Sequence, residues 1–224
     1  MFDLTDWPRH FAEVVSCTKC TKQSCKALLR DEVENVPQPG FIGRNYDRKR
    51  VMLVGQNPAI TKSEQARHAD MPYTKALRIL RDDPTAATLD SLLLVAYEFM
   101  PTWRVTQAYF PLHECGLSLD ELAYVNLIRC RTARLNRDTN RLGDARPNRK
   151  LTENCVTEHF EKWVRELAPR VIVFLGKFAW DGGRHVAASR NVPADYLNRA
   201  RSHSGDLRRA DRERVAALVR QNVG

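Results

Sequence analysis

Three short apolar runs interrupt an otherwise polar chain: Val51 to Val54, Ala123 to Ile128 and Val171 to Leu175. Each is at least partly β-branched and gives way to a polar or glycine turn, the pattern of strands buried on both faces of a parallel sheet. Between them the apolar positions take helical spacing. The pattern predicts helices over Pro72 to Leu80 and Ser91 to Met100. A longer one, Thr152 to Leu167, puts Val156, Phe160, Trp163, Val164 and Leu167 on one face before Pro169 stops it. A last helix, Arg208 to Val219, sets Ala210, Val215, Leu218 and Val219 opposite basic residues. Alternating strand and helix predicts an α/β protein, a three-layer α/β/α sandwich around a central, mostly parallel, four-stranded sheet.

With 224 residues, 43% of them apolar, the chain can fill the core of one domain spanning 1–224. Neither repeats nor low-complexity tracts divide it. Residues 1–50 precede the first strand and carry a pair of cysteines. The segment Arg134 to Lys150, "RLNRDTNRLGDARPNRK", has no periodicity and reads as an exposed basic insertion able to touch phosphates or simply to be solvated. No run of about 18 apolar residues and no charged-then-apolar leader is found, so a cytoplasmic protein without a membrane partner is expected.

Charge narrows the partner class. The formal net charge is +9 and the excess is Arg-rich, concentrated after Arg129. Such a surface attracts polyphosphates through Coulomb steering and counterion release, which makes nucleic acid the leading partner, with a plain solvated surface as the alternative.

Six cysteines in a chain without a secretion signal argue for ligation or burial rather than disulfides. Cys17 and Cys20, in "CTKC", can turn two thiolates toward one metal or cluster. Cys25, Cys115, Cys130 and Cys155 are the possible completions. A second CxxC is lacking, so a four-cysteine zinc ribbon is disfavoured and distant residues must close any site.

In an open parallel sheet, ligands sit beyond the carboxyl ends of the strands. The first run is followed there by Gly55, Gln56, Asn57 and Pro58; near the end of the second stand Asn126, Arg129, Cys130 and Arg131; the third is followed by Gly176 and Lys177. Toward the C-terminus, "RSHSGDL" places His203, Ser204 and Gly205 in a turn-prone setting. Amides, a histidine and glycines without an obvious carboxylate suit hydrogen-bond recognition of a neutral heterocycle better than metal hydrolysis.

The order "CxxC", "VGQNP", "YVNLIRCR", an "NC" opening a helix, "PRVIVFLGK" and "HSG" resembles the uracil-DNA glycosylase superfamily, and within it the iron–sulfur family called family 4. The resemblance covers nearly the whole chain; "YVNLIRCR" and "PRVIVFLGK" are its most specific pieces. It implies a [4Fe-4S] cluster on Cys17, Cys20, Cys130 and Cys155, with a structural role, and leaves Cys25 and Cys115 without a family counterpart. It also explains why a strand should end in amides. In the superfamily this turn holds the water that attacks the sugar, and its backbone N–H groups, here at Gly55 and Gln56, contact the flipped base. Asn57 stands where some members carry Asp and mismatch-specific ones Asn; Gln56 stands where the iron–sulfur family often has Glu.

The remaining roles follow from the same resemblance. Tyr73, after Pro72, matches an aromatic that stacks on the extruded base. Asn126 matches the amide that reads the uracil edge with one donor and one acceptor. His203 matches the histidine that donates to uracil O2 as negative charge develops on the departing base. The family usually shows His-Pro-Ser, whereas this chain has His-Ser-Gly. Leu207 is the candidate wedge into the vacated stack, and Lys177, Ser204, Gly205, Arg208 and Arg209 are candidate DNA contacts.

The implied activity is that of a monofunctional uracil-DNA glycosylase of base excision repair, acting as a monomer on uracil-containing DNA and leaving an abasic site. Two alternatives stand beside it: a glycosylase for another deaminated or mismatched base, and a non-catalytic DNA-binding protein with the same fold. A zinc deaminase is excluded because "HFAE" and "SCTKC" lack the required His-x-Glu and Pro-Cys spacing. The cysteine spacing also excludes a CxxxCxxC radical enzyme.

Overall fold

The computed structural model describes residues 5–30, 35–58, 64–99, 110–136, 141–198 and 209–224. In chain order, helix α1 (Trp7–Val15) leads to the short strands β1 (Leu28–Leu29) and β2 (Phe41–Ile42), the single turn α2 (Tyr46–Lys49) and strand β3 (Val51–Gly55). Helices α3 (Glu64–Asp82), α4 (Ala86–Phe99) and α5 (Leu112–Cys115) precede β4 (Leu122–Asn126), β5 (Arg131–Asn136) and β6 (Arg141–Asp144). Helices α6 (Arg149–Cys155) and α7 (Glu161–Leu167), β7 (Val171–Leu175), α8 (Lys177–Ser189), β8 (Ala194–Leu197) and α9 (Arg209–Val223) complete it.

The three apolar runs of the sequence lie side by side. The main sheet has the order β2-β4-β3-β7-β8 and is flanked by helices. Neighbours among β4, β3, β7 and β8 pair in parallel, and only β2 is antiparallel. The sheet therefore has five strands where four were expected, and neither edge strand, β2 nor β8, shows a continuous apolar run. Every residue of β3, β4 and β7 is buried, which is why these strands read as continuous apolar runs.

The expected helices form, with wider bounds. Pro72 lies inside α3 rather than at its start. The helix expected over Thr152 to Leu167 is α6 and α7 joined through a π-turn, Val156–Phe160, which brings His159 inward beside Val156 and Phe160. In α9 the buried positions are Val215, Ala216, Val219 and Val223, so Ala210 is not part of its inner face. Gly183 lets α8 approach the sheet: a Cβ there would stand 2.6 Å from Phe174 Cε1.

The segment read as an aperiodic insertion is partly regular. Strands β5 and β6 form an antiparallel hairpin, Ala133 opposite Asp144 and Asn136 opposite Arg141, and β1 pairs with the other side of β5. Its strands are joined by backbone pairing, which leaves no periodic apolar signature in the sequence.

Candidate active site

The carboxyl ends of β3 and β4 are in register, Gly55 opposite Asn126. The ladder continues past them, as Leu127 N donates to Gly55 O at 2.8 Å and Ile128 N to Gln56 O at 3.0 Å. This fixes the turn after β3 against the segment that leads to Cys130. Gly55 is required there by space: a Cβ would stand 2.4 Å from Asn126 Oδ1 and 2.8 Å from the Tyr124 hydroxyl. Tyr124 Oη donates to Asn126 Oδ1 at 3.3 Å in a buried setting. The Asn126 amide is thus held in one orientation, with its Oδ1 keeping a second lone pair and its Nδ2 two N–H donors.

The two amides of the turn are bonded to each other. Gln56 Nε2 donates to Asn57 Oδ1 at 2.9 Å. Asn57 Nδ2 donates to Pro58 O at 3.1 Å and to Thr132 Oγ1 at 3.2 Å. Both donors of Asn57 are therefore occupied, and what remains is acceptor capacity on Oδ1. A half-buried amide in this state can hold a water by accepting its hydrogen, but it cannot donate to one and is no base at neutral pH.

A separate buried cluster lies on the hairpin side. Cys20, Cys25, Cys130 and Cys155 pack there with Leu28, Ile128 and Leu151. The thiols of Cys17, Cys20, Cys130 and Cys155 lie close enough to act on one another's ionisation. Cys20 is drawn below the ordinary thiol range by a hydrogen bond from the Cys155 thiol, with help from Asn154 and Arg30. Cys155, the donor in that bond, is pushed up, and burial raises Cys17 and Cys130. Asn154 Nδ2 reaches Cys20 Sγ at 3.3 Å, and Arg30 Nη2 reaches Cys130 Sγ at 3.3 Å.

Beside them Arg129 is 1% exposed, with its guanidinium 4.5 Å over the Trp163 ring and Nη1 donating to Pro39 O at 2.5 Å. Burial lowers its pKa to about 10, so it stays a cation at neutral pH. Its Nε and Nη2, and Nε of Arg30, have no hydrogen-bond partner among the described residues. Among the described residues no group of three or more His, Cys, Asp or Glu is arranged to hold a single metal ion. A four-iron cluster takes one thiolate per iron and spaces its cysteines more widely than ligands of one ion. Converging thiols, N–H donors aimed at sulfur and a buried cation with spare donors fit such an anionic group.

The sequence matches the family described as Uracil DNA glycosylase superfamily over residues 43–216. The chain belongs to that superfamily. No curated protein matches it significantly. The superfamily's chemistry is cleavage of the bond between a base and its sugar in DNA. Gly55, Gln56, Asn57 and Asn126 are gathered at the carboxyl ends of β3 and β4.

Other expected residues are placed differently. Tyr73 is 2% exposed and packs within the main hydrophobic core. Lys177 and Arg209 are exposed and ion-paired along their own helices, with Asp181 at 2.9 Å and Glu213 at 2.8 Å. Pairs of this kind contribute little to stability and give way readily to a phosphate. His203, Ser204, Gly205, Leu207 and Arg208 lie outside the described residues. No described helix is long and apolar enough to cross a membrane.

Sequence reading did not single out Tyr124, Thr132, Arg30 or Asn154. Tyr124 was within reach of it, because alternation along β4 puts residues two apart on one face and so beside Asn126. The others act through contacts distant in sequence: Thr132 meets Asn57 across 75 positions and Arg30 meets Cys130 across 100.

Proposed function

We propose that this protein is a monofunctional uracil-DNA glycosylase that flips uracil out of DNA and hydrolyses its N-glycosidic bond, leaving an abasic site. The observation that carries this reading is the paired arrangement of Asn126 and Asn57 at the ends of β4 and β3. One amide is held to read a base edge and the other can only accept. Asn126 Oδ1 accepts the uracil N3–H and Nδ2 donates to O4; cytosine offers an acceptor and a donor in those places and is refused.

In the reaction the bond between C1′ and N1 breaks first, its electron pair staying on uracil as the sugar gains oxocarbenium character. His203 donates to uracil O2 and stabilises that charge, an effect of about 10²–10³ in rate where such a donor is well placed. Asn57 Oδ1 holds the water, whose oxygen then bonds C1′; the proton it loses ends on the departing base or in solvent. An amide orients this water without taking its proton, so the step relies on leaving-group stabilisation. The DNA backbone is held by Lys177, Ser204, Gly205, Arg208 and Arg209, with Leu207 filling the gap left by the flipped base. Among the described residues no Lys is placed for a Schiff base, and the strand is expected to stay uncut.

Cys17, Cys20, Cys130 and Cys155 would hold a [4Fe-4S] cluster. When bound, the cluster cross-links the N-terminal segment, the end of the β4 motif and α6, and it takes no part in the hydrolysis. Amides at 56 and 57 favour, as the second reading, a glycosylase whose preferred base is another deaminated or mismatched one. Single- and double-stranded oligonucleotides with one uracil test the proposal. The wild type should release free uracil and Asn57→Ala should be at least tenfold slower. Binding without release by the wild type would defeat it.

A further inference from the structure

We propose that Thr132 is a positioning residue that sets the Asn57 amide, and that its wiring builds the turn for an amide rather than a carboxylate. This rests on the reading of Asn57 as the residue that holds the water. Thr132 is fully buried at the start of β5. Its Oγ1 lies 2.5 Å from Ala145 O, and Ala145 N donates to Thr132 O at 3.1 Å, so the two residues bracket each other at the base of the hairpin.

A hydroxyl has one proton, and a carbonyl can only accept. The Thr132 proton is therefore committed to Ala145, and Oγ1 can offer Asn57 nothing but lone pairs. The Asn57 group facing it at 3.2 Å must be a donor. The second N–H of the same nitrogen meets Pro58 O at 3.1 Å, another pure acceptor. Turning the amide over would place Oδ1 against two acceptors at once. Oδ1 is thereby fixed on the opposite side, accepting from Gln56 and presenting its remaining lone pair. Because Thr132 lies in β5 and Ala145 follows β6, the base of the hairpin holds the orientation of a residue that follows β3.

A carboxylate at position 57 would meet the same two acceptors with an oxygen in place of Nδ2. Relief requires Thr132 to turn its proton away from Ala145, leaving that carbonyl unpaired, or the carboxyl to keep its own proton. Asn57→Asp should therefore not act as a strong general base at neutral pH, despite introducing the group that carboxylate-bearing superfamily members use.

The test compares Thr132→Val, which keeps the shape and removes the hydroxyl, with Thr132→Ser, which keeps the hydroxyl; Thr132→Ala replaces the valine variant should that one not fold. Uracil release is followed at saturating and limiting oligonucleotide, and the ¹⁵N-resolved side-chain NH₂ signals of Asn57 are recorded in each protein. Thr132→Val should lower kcat about five- to tenfold with KM little changed, the loss of one neutral hydrogen bond. Thr132→Ser should stay near wild type, and in an Asn57→Ala background Thr132→Val should cost nothing further. The Asn57 NH₂ protons should be slow to exchange in wild type and Thr132→Ser and fast in Thr132→Val. Equal losses in Val and Ser, additive losses in the Asn57→Ala background, or NH₂ signals unmoved by Thr132→Val would each overturn the proposal. A wild type that releases no uracil would overturn the glycosylase reading alone, and the NH₂ signals would still decide the role of Thr132.

Discussion

Gly55 and Asn126 stand opposite each other at the ends of adjacent parallel strands, so close that a methyl group on Gly55 would lie 2.4 Å from Asn126 Oδ1. The glycine that ends β3 leaves the space in which the Asn126 amide sits. Gly55→Ala should push Asn126 and Tyr124 off their positions at a cost of about 1–3 kcal/mol, the range for overpacking. The protein should fold, with kcat/KM for uracil release reduced about tenfold or more. Retained kinetics with an unshifted Asn126 signal would contradict this account of the turn.

Tyr124 holds the Asn126 amide by one hydrogen bond at 3.3 Å. Tyr124→Phe removes it and frees the amide to rotate. Discrimination between uracil and cytosine should fall by about two- to tenfold, the worth of one such bond. Competition assays with both bases would show it, and unchanged discrimination would mean that Asn126 is oriented by something else.

With a cluster on these cysteines, the wild type should purify with visible absorbance and iron; Cys130→Ala and Cys155→Ala should lose both and melt earlier. Cys25→Ala and Cys115→Ala should keep both signals. Burial and the Glu114 carboxylate push the Cys115 thiol up to about 12, so it should resist alkylation at neutral pH in the folded protein. Removing the donors to sulfur, in Arg30→Met or Asn154→Leu, should weaken retention of iron about ten- to a hundredfold against a chelator. Iron retained in Cys130→Ala would rule out the ligand set.

His159 carries a pH dependence of stability. Burial first, then the Arg129 and Lys162 cations, lower its pKa to about 4, with Glu13 opposing. Between about pH 6.5 and 4 the unfolded chain takes up a proton that the folded chain refuses, so stability should fall as pH falls and level off below that interval. The contribution is on the order of 3 kcal/mol. Denaturant midpoints across that range should slope less in His159→Gln, and an equal slope would contradict it.

The fold was legible where burial leaves a run. The strands β3, β4 and β7, wholly buried, were read within a few residues, and the π-turned helix was found from Phe160, Trp163, Val164 and Leu167. The edges were not: β2 has two residues and β8 is mostly half-buried, so neither shows the continuous apolar run of the central strands. Helix α1 had a signal in the spacing of Trp7, Phe11, Val14 and Val15, all buried, and went unread. The amides at 56, 57 and 126 could be named from their places at strand ends, but their orientation depends on Tyr124 and Thr132, which only folding brings near. Tyr73 could be named as an aromatic after a proline, whereas its burial in the main core depends on packing that the sequence does not show.

The central claim is that two oriented amides make a uracil-releasing site. Its most direct test is single-turnover base release from otherwise identical oligonucleotides carrying uracil, cytosine, thymine or hypoxanthine, using the wild type beside Asn57→Ala and His203→Ala. The account predicts free uracil from the wild type, neither cytosine nor thymine, and a loss of at least tenfold in each variant. DNA that is bound while every base stays attached, or hypoxanthine released faster than uracil, would contradict it.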